Sequence, residues 1–277
     1  MKKLIFNADH FGENNNYNRA VLNGCNSGFL RSASIIANGE AYDAAINEIL
    51  PECPKLSLGI DLNLTRGKAL TKCTNLVDNE NYFNKNLFSI IKLCEDVKIL
   101  REIENELRAQ IDKVSQNTKL THIDSVDNIH AIPEIFSIVC KLAKEYDVAH
   151  VITHSQKYNA APNVRTLVRP SFWINAYTCV LLYSFNVKNK NTLSEYNLKT
   201  NNYIISSLYY GMLDKNLLRL LLSAYFEEKE AEVYVKLEPC SYLRNINDNH
   251  SKEFKLTQDK LLEDDINRMG FDISNYR

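Results

Sequence analysis

The sequence predicts an α/β protein, a single-domain (β/α) barrel, and three observations carry that expectation. Strand-like and helix-like segments alternate along the chain with short connections, as they do when crossover helices join parallel strands. The 277 residues, 45% hydrophobic and 24% charged, suit one large globular domain with ample core. A strand-like run, 2–6, ends in Asn7-Ala8-Asp9-His10-Phe11-Gly12, which sets a carboxylate and an imidazole at a strand tip, where such barrels keep their chemistry.

In chain order, strands are expected at 3–8, 32–37, 56–64, 120–125, 148–153 and 232–238. Helices are expected at 17–27, 41–49, 98–114, 133–145, 216–226 and 257–269. Leu4-Ile5-Phe6 is too short for the apolar core of a signal peptide and belongs to the first strand. The stretch 172–185 is interrupted by Asn175 and Thr178 and falls short of the roughly 20 residues of a membrane span. It suits a buried helix or a subunit contact. Residues 187–203, rich in Asn and Lys, suggest an exposed loop excursion. Neither a second domain nor an internal repeat is visible.

The 33 basic and 34 acidic residues give a net charge of −1 with no basic run, so nucleic acid is not an expected partner. Seven scattered cysteines form no Cys-x-x-Cys pair, which points to reduced thiols in a cytoplasmic protein rather than to a disulfide framework or structural zinc.

Period-two counting assigns side chains to faces. In 56–65 every even position is apolar, so Asp61, Asn63 and Thr65 turn away from the helices and into the barrel. Val233, Val235 and Leu237 likewise send Tyr234, Lys236 and Glu238 inward, and in 120–125 the inward residues are His122 and Asp124. Asp127, Asn128 and His130 follow on the adjoining loop. His150 and His154 share one strand face, where packing is the ordinary role. His122 is expected to be a structural hydrogen-bonding residue. Arg66, Lys68 and Glu40 follow the barrel motifs and are expected to be solvated rim charges. The fifteen tyrosines and Trp173 are mostly core or interface, with Phe11 and Tyr17 nearest the mouth.

Four motifs in order resemble one family. Asn7-Ala8-Asp9-His10-Phe11-Gly12 is similar to Asn-Ala-Asp-Asp-Phe-Gly, and 34–39 is similar to its Ser-x-x-x-x-Asn-Gly turn. Residues 58–65 are similar to Gly-x-His-x-x-Leu-Thr, and 121–125, after the helix containing 104–111, to Thr-His-x-Asp-Ser followed by alternating histidines. The chain thus resembles the YdjC-like carbohydrate deacetylases, which include the chitooligosaccharide deacetylases, and this implies a distorted barrel of the carbohydrate deacetylase type. The implied chemistry is metal-assisted hydrolysis of an N-acetyl group on an amino sugar, with Asp9 as general base. The family's three metal positions read His10, Asp61 and Val126, and its late histidine before proline reads Glu238.

From these residues Asp9 and Glu238 are the expected catalytic pair. Phe11, Tyr17, Asn38, Asn63 and Asp124 are candidate substrate contacts, and His10, Asp61 and His130 are candidate ligands in place of the set broken at Val126. The cofactor is one divalent metal (zinc, magnesium or manganese) or none. Expected too are a small carbohydrate or nucleotide-sugar substrate and a homo-oligomer. The alternative is an inactive relative that binds a sugar or serves as an assembly subunit.

Overall fold

The structure, a computed structural model, describes residues 2–155, 157, 164–205, 207–239 and 249–277. The first half runs β1 (Lys2–Phe11), α1 (Asn15–Ser27), β2 (Ser32–Ile35), α2 (Tyr42–Ala44), β3 (Ser57–Leu62), α3 (Leu87–Leu93), α4 (Val97–Ser115), β4 (His122–Ser125) and α5 (Pro133–Glu145). The second half runs β5 (His150–Val151), α6 (Val164–Leu167), α7 (Pro170–Tyr196), β6 (Tyr203–Ile204), α8 (Lys215–Ser223), β7 (Glu232–Leu237), α9 (Asn249–Phe254), α10 (Lys260–Arg268) and β8 (Phe271–Ile273).

All the strand pairs are parallel, in the order β5-β4-β3-β2-β1-β7-β6, with β8 added to the start of β1. The sheet curls until its ends meet. Lys199 donates to Ala149 O and accepts from Val151 N on the β5 side, while Asn202 and Ile205 donate to Glu232 O and Tyr234 O on the β7 side. A curled parallel sheet wrapped by helices is the expected barrel class.

Alternation positions the site. Leu4, Phe6 and Ala8 of β1, Leu58, Ile60 and Leu62 of β3, and Val233, Val235 and Leu237 of β7 pack with the helices in the main core. A second, smaller cluster of Ile5, Ile152, Ile204, Tyr234 and Tyr276 fills the lumen. Strands buried on both faces are characteristic of parallel sheets, so the polar lumen residues above that plug are all withdrawn from water. Gly59 matters here: a Cβ on it would lie 2.4 Å from His122 Nε2, so only glycine leaves room for the imidazole that crosses the lumen.

The expected loop at 187–203 is instead the continuation of α7 as far as Tyr196. Its inner face carries on past 187, because Asn189 is buried and donates to Ala131 O at 2.8 Å, while the Asn- and Lys-rich composition belongs to the exposed side. The helix stops where Asn197 adopts φ 51°, a left-handed cap. Among the described residues no disulfide joins the six cysteines, and Cys240 lies outside the described residues. Among the described residues no helix is long and apolar enough to cross a membrane.

Candidate functional site

Asp9 and His10 are neighbours on β1, and strict alternation would send them to opposite faces. Both are nevertheless buried in the site region, because His10 takes φ 58° and the β1–β2 register shifts between Ala8 and Phe11. A bulge with a non-glycine residue in the left-handed region re-aims a side chain, and such local strain clusters at functional sites. The His10 backbone N–H donates to Asp61 Oδ2 at 3.0 Å, and its Nδ1 lies 2.9 Å from the same oxygen. Burial alone would lower the His10 pKa. The Asp61 charge and hydrogen bond overcome it and raise the group to about 9, so it is an imidazolium at neutral pH.

The fully buried Asp9 carboxylate accepts from Asn7 Nδ2 at 3.0 Å. Its other oxygen is 3.2 Å from Lys236 Nζ, a close ionic contact that is not aligned as a hydrogen bond. Burial pushes Asp9 up to about 8 against the pull of Lys236. Lys236 also donates to Asp124 Oδ1 at 3.1 Å and to Ser125 O at 3.2 Å. Asp124 accepts from Tyr234 OH at 2.9 Å as well. Burial opposes its ionisation, but the Lys236 charge outweighs that and holds Asp124 below the ordinary carboxylate range.

Glu238, at the end of β7, has both oxygens covered by hydroxyls: Tyr17 OH at 2.7 Å and Tyr210 OH at 2.6 Å. Burial favours its neutral form. The His10 charge and the tyrosine hydrogen bonds prevail and lower its pKa, so of the expected carboxylate pair Asp9 is pushed towards the acid form and Glu238 towards the ionised one.

The candidate substrate contacts fare differently. Phe11 is fully buried in the main core and faces the helices, since the bulge at His10 turns it inward there. Tyr17 is buried with its hydroxyl committed to Glu238, and Asp124 is committed to Lys236 and Tyr234. Asn63 donates to Asn38 Oδ1 at 2.9 Å and to Arg66 O at 2.7 Å, and Asn38 donates to Arg66 O and Lys68 O. The two asparagines thus brace the loop that carries Arg66. Arg66 was expected to be a solvated rim charge. It instead lies 3.4 Å from Asp127 and 3.8 Å from Glu13, with its side chain 27% exposed.

The candidate ligands do not converge. His130 is fully buried with Nδ1 2.5 Å from Ser125 Oγ and Nε2 2.9 Å from Ile152 O, so both ring nitrogens are occupied by structural partners. Val126 is a buried apolar side chain, and His10 and Asp61 close on each other. Among the described residues no group of three or more His, Cys, Asp or Glu is arranged to hold an ion. The donor set therefore does not fit the metal that the family resemblance implies.

His122 contacts Ser34 Oγ at 3.1 Å and Asn7 Oδ1 at 3.2 Å through Nε2, bracing β1, β2 and β4. His154 Nε2 lies 2.9 Å from Asn128 Oδ1, and its ring is 5.5 Å from that of His130. Sequence reasoning turned Lys236 inward but gave it no role, and it missed Tyr210. Alternation names a face without naming a partner, and Tyr210 lies in no periodic segment.

A parallel barrel with buried, pKa-shifted carboxylates and an imidazolium at the carboxyl ends of its strands defines an acid–base enzyme site. The chain matches the YdjC-like protein family over residues 3–266 and belongs to it. A carbohydrate deacetylase from Clostridium beijerinckii is 31% identical over 88% of this chain and 96% of its own length. One from Brevibacillus brevis is 38% identical over 53% of this chain, an alignment spanning 57% of that relative. In fold the chain is similar to the crystal structure of a protein from Enterococcus faecalis described as a putative cellobiose-phosphate cleavage protein. The TM-score is 0.75 at 21% identity, covering 99% of this chain and 97% of that one.

Proposed function

We propose that the chain is a carbohydrate-modifying hydrolase that removes the acetyl group from the nitrogen of an amino sugar or nucleotide-sugar derivative. The coarse class rests on membership in the YdjC-like family and on relatives named carbohydrate deacetylase. The observation that carries the chemistry is the neighbouring pair at the end of β1: a buried Asp9 raised to about 8, with one oxygen in contact with Lys236 but not aligned as a hydrogen bond, and a His10 raised to about 9 by Asp61.

In this reading ionised Asp9 removes a proton from water as the water oxygen bonds to the amide carbonyl carbon. The His10 imidazolium faces the negative charge that develops on the carbonyl oxygen. The C–N bond breaks as the proton held by Asp9 passes to the leaving nitrogen, which releases acetate and the amine. Glu238 adds to the Asp61 charge that keeps His10 protonated and is pinned by Tyr17 and Tyr210, a supporting role rather than that of a second acid. No step is assigned to a divalent ion, because the donor set does not fit one.

The test is amine release from N-acetylated chitooligosaccharides and nucleotide sugars by the full chain, before and after dialysis against chelator. Turnover is expected to survive chelation and to rise with pH through about 8 and fall beyond about 9. Asp9→Asn should lose on the order of 10²–10⁴ in kcat. Turnover that returns only with added metal would overturn the role given to His10 but keep the deacetylase. No amine release from any substrate would overturn the deacetylase itself.

A further inference from the structure

Glu13 follows directly on the motif 7–12, and the acid–base steps above leave it without a role. Its backbone is held on both sides. The N–H donates to His10 O at 3.0 Å, and the carbonyl accepts from Glu40 N at 3.1 Å. Gly12 before it, at φ 85°, donates to Asn18 Oδ1 at 2.9 Å and accepts from Ala41 N at 3.0 Å. A Cβ on Gly39 would lie 2.1 Å from Gly12 O and 2.9 Å from Glu13 Cα, so glycine alone lets the facing loop come this close. The turn is therefore fixed, and it delivers the Glu13 side chain to the rim beside Arg66.

That side chain is only 11% exposed. Oε1 lies 3.8 Å from Arg66 Nη1, too far for a hydrogen bond, and Oε2 is buried and accepts no hydrogen bond among the described residues. Burying an acceptor without a donor costs stability, and such a group in a folded protein calls for an explanation. The helix that follows does not supply one. Glu13 stands two residues before the first residue of α1, where a carboxylate gains from the helix field without giving up water. What an orphaned oxygen beside a site lacks is a donor that arrives with the ligand.

We propose that Glu13 is a specificity residue of the candidate site, whose Oε2 accepts a hydrogen bond from a hydroxyl of an uncharged sugar, a role that rests on the deacetylase reading for its reaction. Arg66 stands 3.8 Å from Oε1 and carries guanidinium donors, so the two side chains offer one hydroxyl both an acceptor and a donor. Asn38 and Asn63 brace the loop of Arg66 as the turn at Gly12 braces Glu13, which preorganises the pair. Charge defines the ligand class. Arg66 is shared between Glu13 and Asp127, which lies 3.4 Å from it, so acids outnumber bases at this rim. A neutral N-acetylated oligosaccharide is accommodated there, whereas the diphosphate of a nucleotide sugar would meet like charge.

The test compares the full chain with Glu13→Gln, using N,N′-diacetylchitobiose and uridine diphosphate N-acetylglucosamine as probes. The disaccharide should raise the melting temperature of the wild-type chain, and the nucleotide sugar should not. Glu13→Gln should melt at or above the wild-type temperature without ligand, because a buried, unsatisfied carboxylate is gone, and should lose the rise with disaccharide. In turnover it should raise KM about 10–100-fold with kcat within about twofold, the effect of one hydrogen bond to a charged group. A lower melting temperature for unliganded Glu13→Gln would make the residue a structural acid and overturn the proposal. So would an equal rise with disaccharide in both chains, no rise in the wild type, or an equal rise with the nucleotide sugar. A rise with disaccharide that Glu13→Gln abolishes, in a chain that releases no amine, would overturn the deacetylase reading and leave Glu13 as a sugar contact.

Discussion

Asp9 and Asp124 both lie within 3.2 Å of a single ammonium, that of Lys236, and all three groups are buried. An ammonium in that position is held protonated by the two carboxylates against its own desolvation. Removing it leaves buried negative charge without compensation, a class of change that costs about 3–5 kcal/mol, whereas removing charge from both sides costs far less. Lys236→Met is therefore expected to lower the unfolding free energy by that amount, read as a lower urea midpoint at an unchanged slope, with Lys236→Met/Asp124→Asn recovering most of the loss. A single variant within about 0.5 kcal/mol of the wild type would show that the ion contacts do not hold the lumen together. The same replacement should also alter the pH profile of turnover, since Lys236 lowers the Asp9 pKa.

At the scale of elements, α4 acts as a clamp on the loop that follows β3. Gln110 bridges both backbone groups of Asn63, accepting from its N–H at 2.9 Å and donating to its carbonyl at 2.7 Å. Glu106, fully buried, accepts from Leu70 N, Thr71 N and Thr71 Oγ1. The two side chains are joined at 2.8 Å, so one helix turn fixes both ends of the segment that presents Arg66. Gln110→Ala leaves the buried Asn63 amide without its acceptor and should cost about 1–3 kcal/mol, with a larger effect on KM than on kcat if the loop meets substrate. A loss confined to kcat would place the loop's action on the reacting groups instead.

Such clamps mark the limit of what could be read in the sequence. Alternation correctly turned Asp61, Asn63, His122, Asp124, Tyr234, Lys236 and Glu238 inward, because parallel strands in a barrel obey a strict two-residue period. The period breaks at His10, whose φ is positive, and Phe11, expected near the mouth, lies in the core. It also gave 187–203 to a loop, because an Asn- and Lys-rich outer face masks a buried inner one.

For the whole molecule, the buried histidines set how stability responds to pH. Burial holds His122 and His154 at about 3 in the folded chain and also lowers His130 and His150. In the unfolded chain a histidine takes up its proton near 6.5, so below that pH the unfolded state binds protons that the folded state refuses. Stability must then fall as pH falls from 6.5 towards 3. Asp9 acts in the opposite sense. Folded Asp9 keeps its proton up to about 8, while the unfolded group releases it near its ordinary value of about 4, so raising the pH through that window removes stability. Between about 4.5 and 6.5 at least two histidines outweigh one aspartate, and one net proton is worth about 1.4 kcal/mol per pH unit. Above 6.5 both states of the low-pKa histidines are neutral, and His10, charged in the folded chain up to about 9, joins Asp9 in losing stability as pH rises. The melting temperature should therefore peak near pH 6.5 and decline on both sides. His154→Phe, which would remove a titrating group while filling its place beside His130, should flatten the acid limb and leave the alkaline limb as it was. An acid limb unchanged in that variant would mean that His154 is not what the unfolded chain gains by protonation.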